Sequence, residues 1–500
     1  MSVKNQIIKG TIVLTLAGIL SRVLGFLYRI FLSNLIGAKG MGIFQLIFPV
    51  LGFCVAISCG GIQIAVSRFV AECKNNKDRF LVLISSIIMS VFLSAAAAFA
   101  LYCFANPVSA YIIKNNECAL LLKYASITIP LTTFHACIAG YYLGLKKTAV
   151  PALSSIFEQV IKVAAIYILG MIWVNKGIKL TPVIAVYSMI LSELGGVIFC
   201  LIAVGAEKKY SFKIKQLFSQ MKSLFSVSYI LTINKIMITF LQCLEAILVP
   251  IVLVKSGLSS HTALSIYGIL TGMALPVITF PSAINSSVST MILPAIAGAN
   301  AGGETKNIKK TTEVSIWFSL VTGIFCIGIF LYYGDFIGTT IFGHAKAREY
   351  IKILAWLCPF MYLSTTLGSV LHGLGKTNTA FIHNCLGTVI RLFFLWFIVP
   401  LVGINGYLWG LLISNLVITF LHGYYIYKEI QFSFSATDNI IKPASWLFCS
   451  IVAGKLVKYI LGFSPYSGRL FDITSAILSA GAIFFVFMYF LKTEIRYLKV

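Results

Sequence analysis

Apolar runs about 20 residues long, the length a helix needs to cross a hydrocarbon core of roughly 30 Å, recur along the whole chain with only short polar breaks. They fall near 10–36, 41–67, 80–105, 119–144, 150–174 and 182–205, then near 223–254, 263–296, 313–333, 350–374, 378–401 and 404–427, with a last pair near 440–461 and 470–491. The pattern predicts an all-α polytopic membrane protein of about fourteen transmembrane helices. The first run follows a short basic flank, as a leader peptide would, but it continues past Arg22 without a small-residue cleavage site. It reads as a retained first helix.

The chain also repeats itself. GLKKTAVPALSSIFEQVIK, Gly144 to Lys162, aligns without gaps on GLGKTNTAFIHNCLGTVIR, Gly373 to Arg391. Both place Gly-Leu-x-Lys-Thr in a turn and Val-Ile followed by a cation deep in the next helix. A turn on the same side in both copies predicts a parallel repeat about an axis along the membrane normal. The predicted division is an N-lobe at 1–210 with helices 1–6, a C-lobe at 211–430 with helices 7–12, and a helix pair 13–14 at 431–500. The basic segment 205–223 between the lobes reads as an interfacial connecting helix.

Composition agrees with the membrane reading. Only 11% of the 500 residues are charged and the mean hydropathy is +0.94, whereas soluble domains carry about 25% charged residues. The net charge of +24 does not call for nucleic acid. With the N-terminus inside, more than half of the 39 Lys and Arg residues fall on cytoplasmic segments, which predicts that both termini are cytoplasmic. The 12 cysteines are scattered singly, without CxxC pairs, and read as small packing residues. His135, His372, His383 and His422 lie in apolar runs with no partner at metal or triad spacing. No metal or cofactor is expected.

Charges inside the spans carry the candidate chemistry. An ionised group at the centre of a membrane helix costs roughly 2.5–3.5 kcal/mol on insertion scales and usually faces a protein interior or a wet cavity. Arg22 and Arg29 lie nearly two turns apart on one face of the first helix, about 10 Å along its axis, with Gly18, Ser21 and Gly25 on or beside that face. Arg29 can alternatively snorkel to the outer headgroups. Glu158 and Lys162, at i,i+4 spacing, can neutralise each other, although Arg391 keeps the cation of the repeat without the acid. Glu245 has no cation at helical spacing, so it requires Arg22, Arg29, Lys235 or a proton. Arg22, Arg29, Lys162, Lys235 and Arg391 outnumber Glu158, Glu193 and Glu245, which points to a path for an anion. Arg22, Arg29, Lys162, Lys235, Glu245 and Arg391 are therefore the candidate substrate-binding residues.

LSRVLGFLYRI at Leu20 to Ile30, GAKGMGIFQLIFPV at Gly37 to Val50 and IYGILTGMALPVITFPSAI at Ile266 to Ile284 resemble the stage V sporulation protein B group. That group belongs to the polysaccharide transporters of the multidrug/oligosaccharidyl-lipid/polysaccharide flippase superfamily, and the likeness covers nearly the whole chain. It implies a flippase of the bacterial inner membrane, not an enzyme. Such a protein carries an undecaprenyl-diphosphate-linked saccharide, a cell-wall or spore-cortex precursor, to the outer leaflet by alternating access. Membrane lipids, H+ or Na+, and cell-wall synthesis proteins are the partners implied. In the related lipid II flippases an SRxxGFxR motif supplies arginines that meet the diphosphate. Here Ser21, Arg22, Gly25 and Phe26 match, Tyr28 stands where the second arginine would be, and Arg29 follows it by one residue.

Two alternatives remain open at this point. A cation-coupled multidrug exporter of the same superfamily should carry a carboxylate on the cavity face of its first helix. A non-transporting scaffold for cell-wall synthesis predicts that Arg22 is dispensable. A membrane glycosyltransferase would need a larger outer loop than the segments of about 15 residues available here.

Overall fold

The computed structural model describes residues 3–205, 210–462 and 478–491, and every regular element among them is helical. In chain order the helices are α1 Val3–Cys59, α2 Ile62–Glu72, α3 Asn76–Pro107, α4 Glu117–Ala125, α5 Thr128–Gly144, α6 Ala149–Asn175, α7 Val183–Gly205, α8 Ile214–Lys255 and α9 Ser260–Gly268. They continue with α10 Leu275–Thr279, α11 Ser282–Ala301, α12 Thr305–Asp335, α13 Ala345–Ala355, α14 Cys358–Gly373, α15 Thr377–Phe393, α16 Val399–Val402, α17 Ile404–Ile430 and α18 Lys442–Gly462. A last helix covers Leu478–Leu491.

Among the described residues 10 helical stretches are long and apolar enough to cross a membrane, or 11 if α13 and α14, bent by 53°, form one span. By this measure the described residues do not confirm the expected count of about fourteen, for local reasons. The first two expected spans run together as one stretch of 60 residues, Val13–Glu72, broken at Gly37, whose φ of 69° and ψ of 178° are a conformation that glycine tolerates at little cost. The expected span at 119–144 is two shorter helices, α4 and α5. Of the expected span at 470–491, residues 470–477 lie outside the described residues. So do Lys208 and Lys209 of the basic linker, and Arg469, Lys492, Arg496 and Lys499. The rest of the linker enters α8, which begins at Ile214 and runs unbroken for 42 residues.

Packing divides the chain into two compact units, Met1–Met273 with Leu392–Tyr407, and Ala274–Arg391 with Leu408–Val500. Helices α8 and α9, beyond the expected lobe boundary at 210, pack in the first unit against α1. One core of this unit gathers Ile62, Ala65 and Val66 of α2, Leu83 of α3 and Cys137, Ile138 and Tyr142 of α5. In the second unit Ile292 and Ile296 of α11 meet Leu320 of α12, Leu367, Val370 and Leu371 of α14 and Ile426 of α17. All twelve cysteines are free thiols.

The internal repeat is visible in backbone geometry. Lys146 has φ 59° and the aligned Gly375 has φ 78°, and each turn closes with the same two bonds. Lys147 N donates to Tyr142 O at 2.9 Å and Leu145 N to Tyr141 O at 3.0 Å, while Lys376 N donates to Leu371 O and Leu374 N to Val370 O, both at 2.9 Å. Both turns end their helix by a left-handed residue and a backward-reaching N–H, the usual device for satisfying final carbonyls. The two sequence segments GAKGMGIF and IYGILTG also meet. A Cβ on Gly42 would stand 2.0 Å from Leu264 O, and one on Gly268 would stand 2.1 Å from Ala38 O and 2.4 Å from Gly42 N. The absence of side chains there lets the backbones of α1 and α9 touch, as small residues do in membrane helix pairs.

Candidate functional site

Helix α1 has two unlike faces. Leu16, Leu20 and Leu27 are 62%, 45% and 50% exposed and share one side, where hydrocarbon can cover them. Arg22 and Arg29 lie roughly 150° around the helix from them at 3.6 residues per turn. Arg22 is exposed and Arg29 half-buried. One turn before Arg22, a Cβ at Gly18 would meet nothing within 4 Å, so the arginine face has open space beside it.

The adjoining side of α1 is held by α6. Ser21 Oγ and Ser155 Oγ are 3.3 Å apart, a Cβ at Gly25 would stand 3.6 Å from Gln159 Oε1, and Phe31 and Tyr167 bring their ring centroids to 5.7 Å. This contact brings Lys162 to α1. Its ammonium lies 5.0 Å from the centroid of the Tyr28 ring, a cation–π arrangement, and within electrostatic reach of Glu158, Glu193 and Arg29. Tyr28 is itself fixed by a 2.9 Å hydrogen bond between its hydroxyl and Ser188 Oγ on α7. The residue that breaks the SRxxGFxR pattern thus positions Lys162 rather than supplying a charge.

Three groups outside the six candidates, His135, Glu158 and Glu193, complete this cluster. His135 of α5 places Nδ1 3.9 Å from Glu158 Oε2, and Glu193 of α7 stands beside Thr132. The ligand atoms of His135, Glu158 and Glu193 all lie within 4.8 Å of one another. Linear spacing hides this trio because its members sit on three helices. Within its own run His135 has no partner at metal or triad spacing, and its polar contacts come from the neighbouring helices. His383 and His422 are likewise paired, Nδ1 to Nδ1 at 2.8 Å across α15 and α17.

The remaining candidates are placed elsewhere. Lys235 and Glu245 both lie on α8, ten residues apart, with Lys235 exposed and its Cβ 3.1 Å from the position of a Cβ on Gly60. Glu245 is buried and accepts a 2.8 Å hydrogen bond from the Tyr407 hydroxyl, a partner that the sequence does not suggest. Arg391 is in the second unit, where it donates to Thr388 Oγ1 at 3.1 Å and Ser414 Oγ at 3.5 Å. The candidates therefore resolve into an α1–α6 group of Arg22, Arg29 and Lys162, a pair on α8, and Arg391 apart in its own unit.

Comparison with known proteins supports the resemblance carried by the α1 and α9 segments. A family model described as polysaccharide biosynthesis protein matches residues 7–300, and one described as MatE matches 236–397. The stage V sporulation protein B of Bacillus subtilis (strain 168) is 24% identical over 471 residues, covering 91% of this chain and 90% of that protein. The lipid II flippase MurJ of the same organism is 21% identical over 501 residues, covering 92% and 90%. Among solved structures, an inward closed lipid II flippase MurJ aligns with a TM-score of 0.69 at 15% identity, covering 98% of this chain and 100% of that one. An inward-facing multidrug resistance MATE transporter of the MOP superfamily aligns with a TM-score of 0.64 at 13% identity, covering 84% and 98%. The chain is a multi-pass membrane protein with the fold of these transporters.

Proposed function

We propose that this chain, which belongs to the polysaccharide biosynthesis protein family, is a flippase for an undecaprenyl-diphosphate-linked saccharide, a cell-wall or spore-cortex precursor. It works in the bacterial cytoplasmic membrane with both termini inside, and its two repeat lobes, 1–210 and 211–430, give access to each leaflet in turn. The observation that carries the reading is the arginine face of α1, set opposite its exposed leucines, with open space at Gly18 and with Lys162 brought alongside Arg29. A diphosphate head cannot cross hydrocarbon without replacing its hydration, and guanidinium groups offer charge-assisted, bidentate bonds to phosphate oxygens. An inside-negative potential drives an uncompensated anionic head outward by roughly 2.3 kcal/mol per charge per 100 mV. A cationic first helix suits this cargo better than the cationic drugs of an exporter.

Native mass spectrometry of the detergent-purified protein tests the reading. Wild type, Arg22→Ala and Arg29→Ala are titrated with the diphosphate-linked saccharide and with undecaprenol. Binding that depends on the headgroup and is lost in Arg22→Ala supports the site. Equal binding by all three proteins, or none beyond undecaprenol, refutes it and favours the scaffold reading.

A further inference from the structure

We propose that His135, Glu158 and Glu193 form a binding site for a first-row divalent metal ion of the zinc class within the first unit. The three residues come from α5, α6 and α7, and their ligand atoms converge to within 4.8 Å. The orientation of the imidazole is the informative part. Ser154 Oγ lies 3.1 Å from Pro151 O as a donor, and in the tautomer that pairs with this bond it accepts the proton of His135 Nε2, 2.9 Å away. That leaves Nδ1 as a bare lone pair, and it faces Glu158 Oε2 at 3.9 Å. Metal-ligating histidines are oriented in this way, with the distal N–H given to a fixed acceptor.

Two acceptors facing each other need a cation between them. A shared proton would draw N and O together to about 2.7–3.2 Å, well short of the separation here. Zinc bonds of about 2.0–2.1 Å in a tetrahedral arrangement put neighbouring ligand atoms about 3.4 Å apart, so the His135–Glu158 edge must close from 3.9 Å by about half an ångström and the other edges, within 4.8 Å, by up to about 1.4 Å through side-chain rotation. Gly196 of α7 leaves room for the ion, since even a Cβ there would stand 3.5 Å from His135 Nδ1. An imidazole nitrogen among the donors favours zinc, cobalt or nickel over magnesium and calcium, which prefer oxygen. Two carboxylates balance the double charge, and three protein ligands leave a fourth position open. Lys162 and Arg29 are the nearby cations that would compete, and Lys162 already directs its ammonium over the Tyr28 ring.

The test measures binding alone, so its outcome is independent of whether the chain moves a lipid. The full-length protein in lipid nanodiscs is stripped with EDTA, dialysed and titrated with Zn²⁺ by calorimetry, and Co²⁺ is added in parallel for its absorption spectrum. The expected result is one Zn²⁺ per chain, abolished by His135→Ala and by Glu158→Gln, with no competition from Mg²⁺. Ser154→Ala keeps all three ligands but frees the imidazole, and it should weaken binding about 10–100-fold. It serves as the milder variant should the others fail to fold. The Co²⁺ spectrum should lack thiolate charge-transfer absorption. Absence of Zn²⁺ binding by wild type, Zn²⁺ affinity unchanged in the His135, Glu158 and Ser154 variants, or a thiolate band that places the metal on cysteine would each overturn the proposal.

Discussion

Alanine at Gly42 would press a methyl group into the backbone of α9. The added Cβ would stand 2.0 Å from Leu264 O and 2.9 Å from its carbonyl carbon, whereas carbon–oxygen contacts settle at about 3.3–3.6 Å. The obstacle is backbone and cannot rotate away, so α1 and α9 must part by more than about 1 Å. Around the contact Met41, Ile43, Phe44, Leu264 and Tyr267 are all 3% exposed or less. A gap of 0.5–1 Å forfeits roughly a quarter to a half of the dispersion attraction across it. The cost therefore belongs at the upper end of the range for overpacking, about 3 kcal/mol. Gly18→Ala on the same helix is the control, because nothing lies within 4 Å of its Cβ, and removing a helical glycine there should gain about 0.5–1 kcal/mol. Thermal unfolding of the detergent-purified proteins by intrinsic fluorescence, at one fixed scan rate because such unfolding is commonly irreversible, reads both. Gly42→Ala melting with or above wild type would refute the argument. Gly268→Ala should resemble Gly42→Ala, and the double variant should cost less than the two combined, since both open one contact.

Other outcomes follow from single contacts. Tyr407→Phe removes the 2.8 Å bond to Glu245 and should cost about 1 kcal/mol, a loss that largely disappears when measured in a Glu245→Ala background, where no acceptor remains. Asp335 holds Arg348 Nε and Lys352 Nζ, each at 2.9 Å, on an exposed surface; Asp335→Asn should cost less than about 1 kcal/mol, and less again in high salt. Hydrogen bonds to Glu429 and Tyr425 raise the Lys376 ammonium above its ordinary value of 10.5. A raised lysine adds stability that is complete below its unfolded value and lost as pH climbs through the folded one. Lys376→Met should therefore lower stability slightly at neutral pH without changing the slope there, and flatten the alkaline end of a stability-against-pH curve.

The helical class, the apolar runs and the repeat were legible because each depends on local pattern. The aligned turns at Gly144 and Gly373 could be read because both segments carry Gly-Leu-x-Lys-Thr at the same offset, whereas the left-handed backbone of Lys146 could not. The break at Gly37 falls in the gap expected between the first two runs, 10–36 and 41–67, but its backbone was not legible, because glycine alone does not announce a positive φ. Arg22, Arg29 and Lys162 stood out because charge in an apolar run is costly wherever it points. What those charges meet depends on helix neighbours. The Tyr28 ring beneath Lys162, the Tyr407 hydroxyl on Glu245 and the meeting of His135 with Glu158 and Glu193 all join residues far apart in the chain. No spacing rule within one helix could have found them. The glycine contact between α1 and α9 was hidden for the same reason, although both segments had been singled out for their resemblance.

The most direct test of the flippase reading is transfer itself. Proteoliposomes carrying a fluorescent undecaprenyl-diphosphate saccharide are exposed to a quencher that reaches only the outer leaflet, with wild type, Arg22→Ala, Arg348→Ala and protein-free vesicles compared. The account predicts protein-dependent transfer that Arg348→Ala keeps and Arg22→Ala loses by at least about tenfold, the effect of about 1.4 kcal/mol. Transfer no faster than in empty vesicles, or equal rates with and without the Arg22 guanidinium, would contradict it.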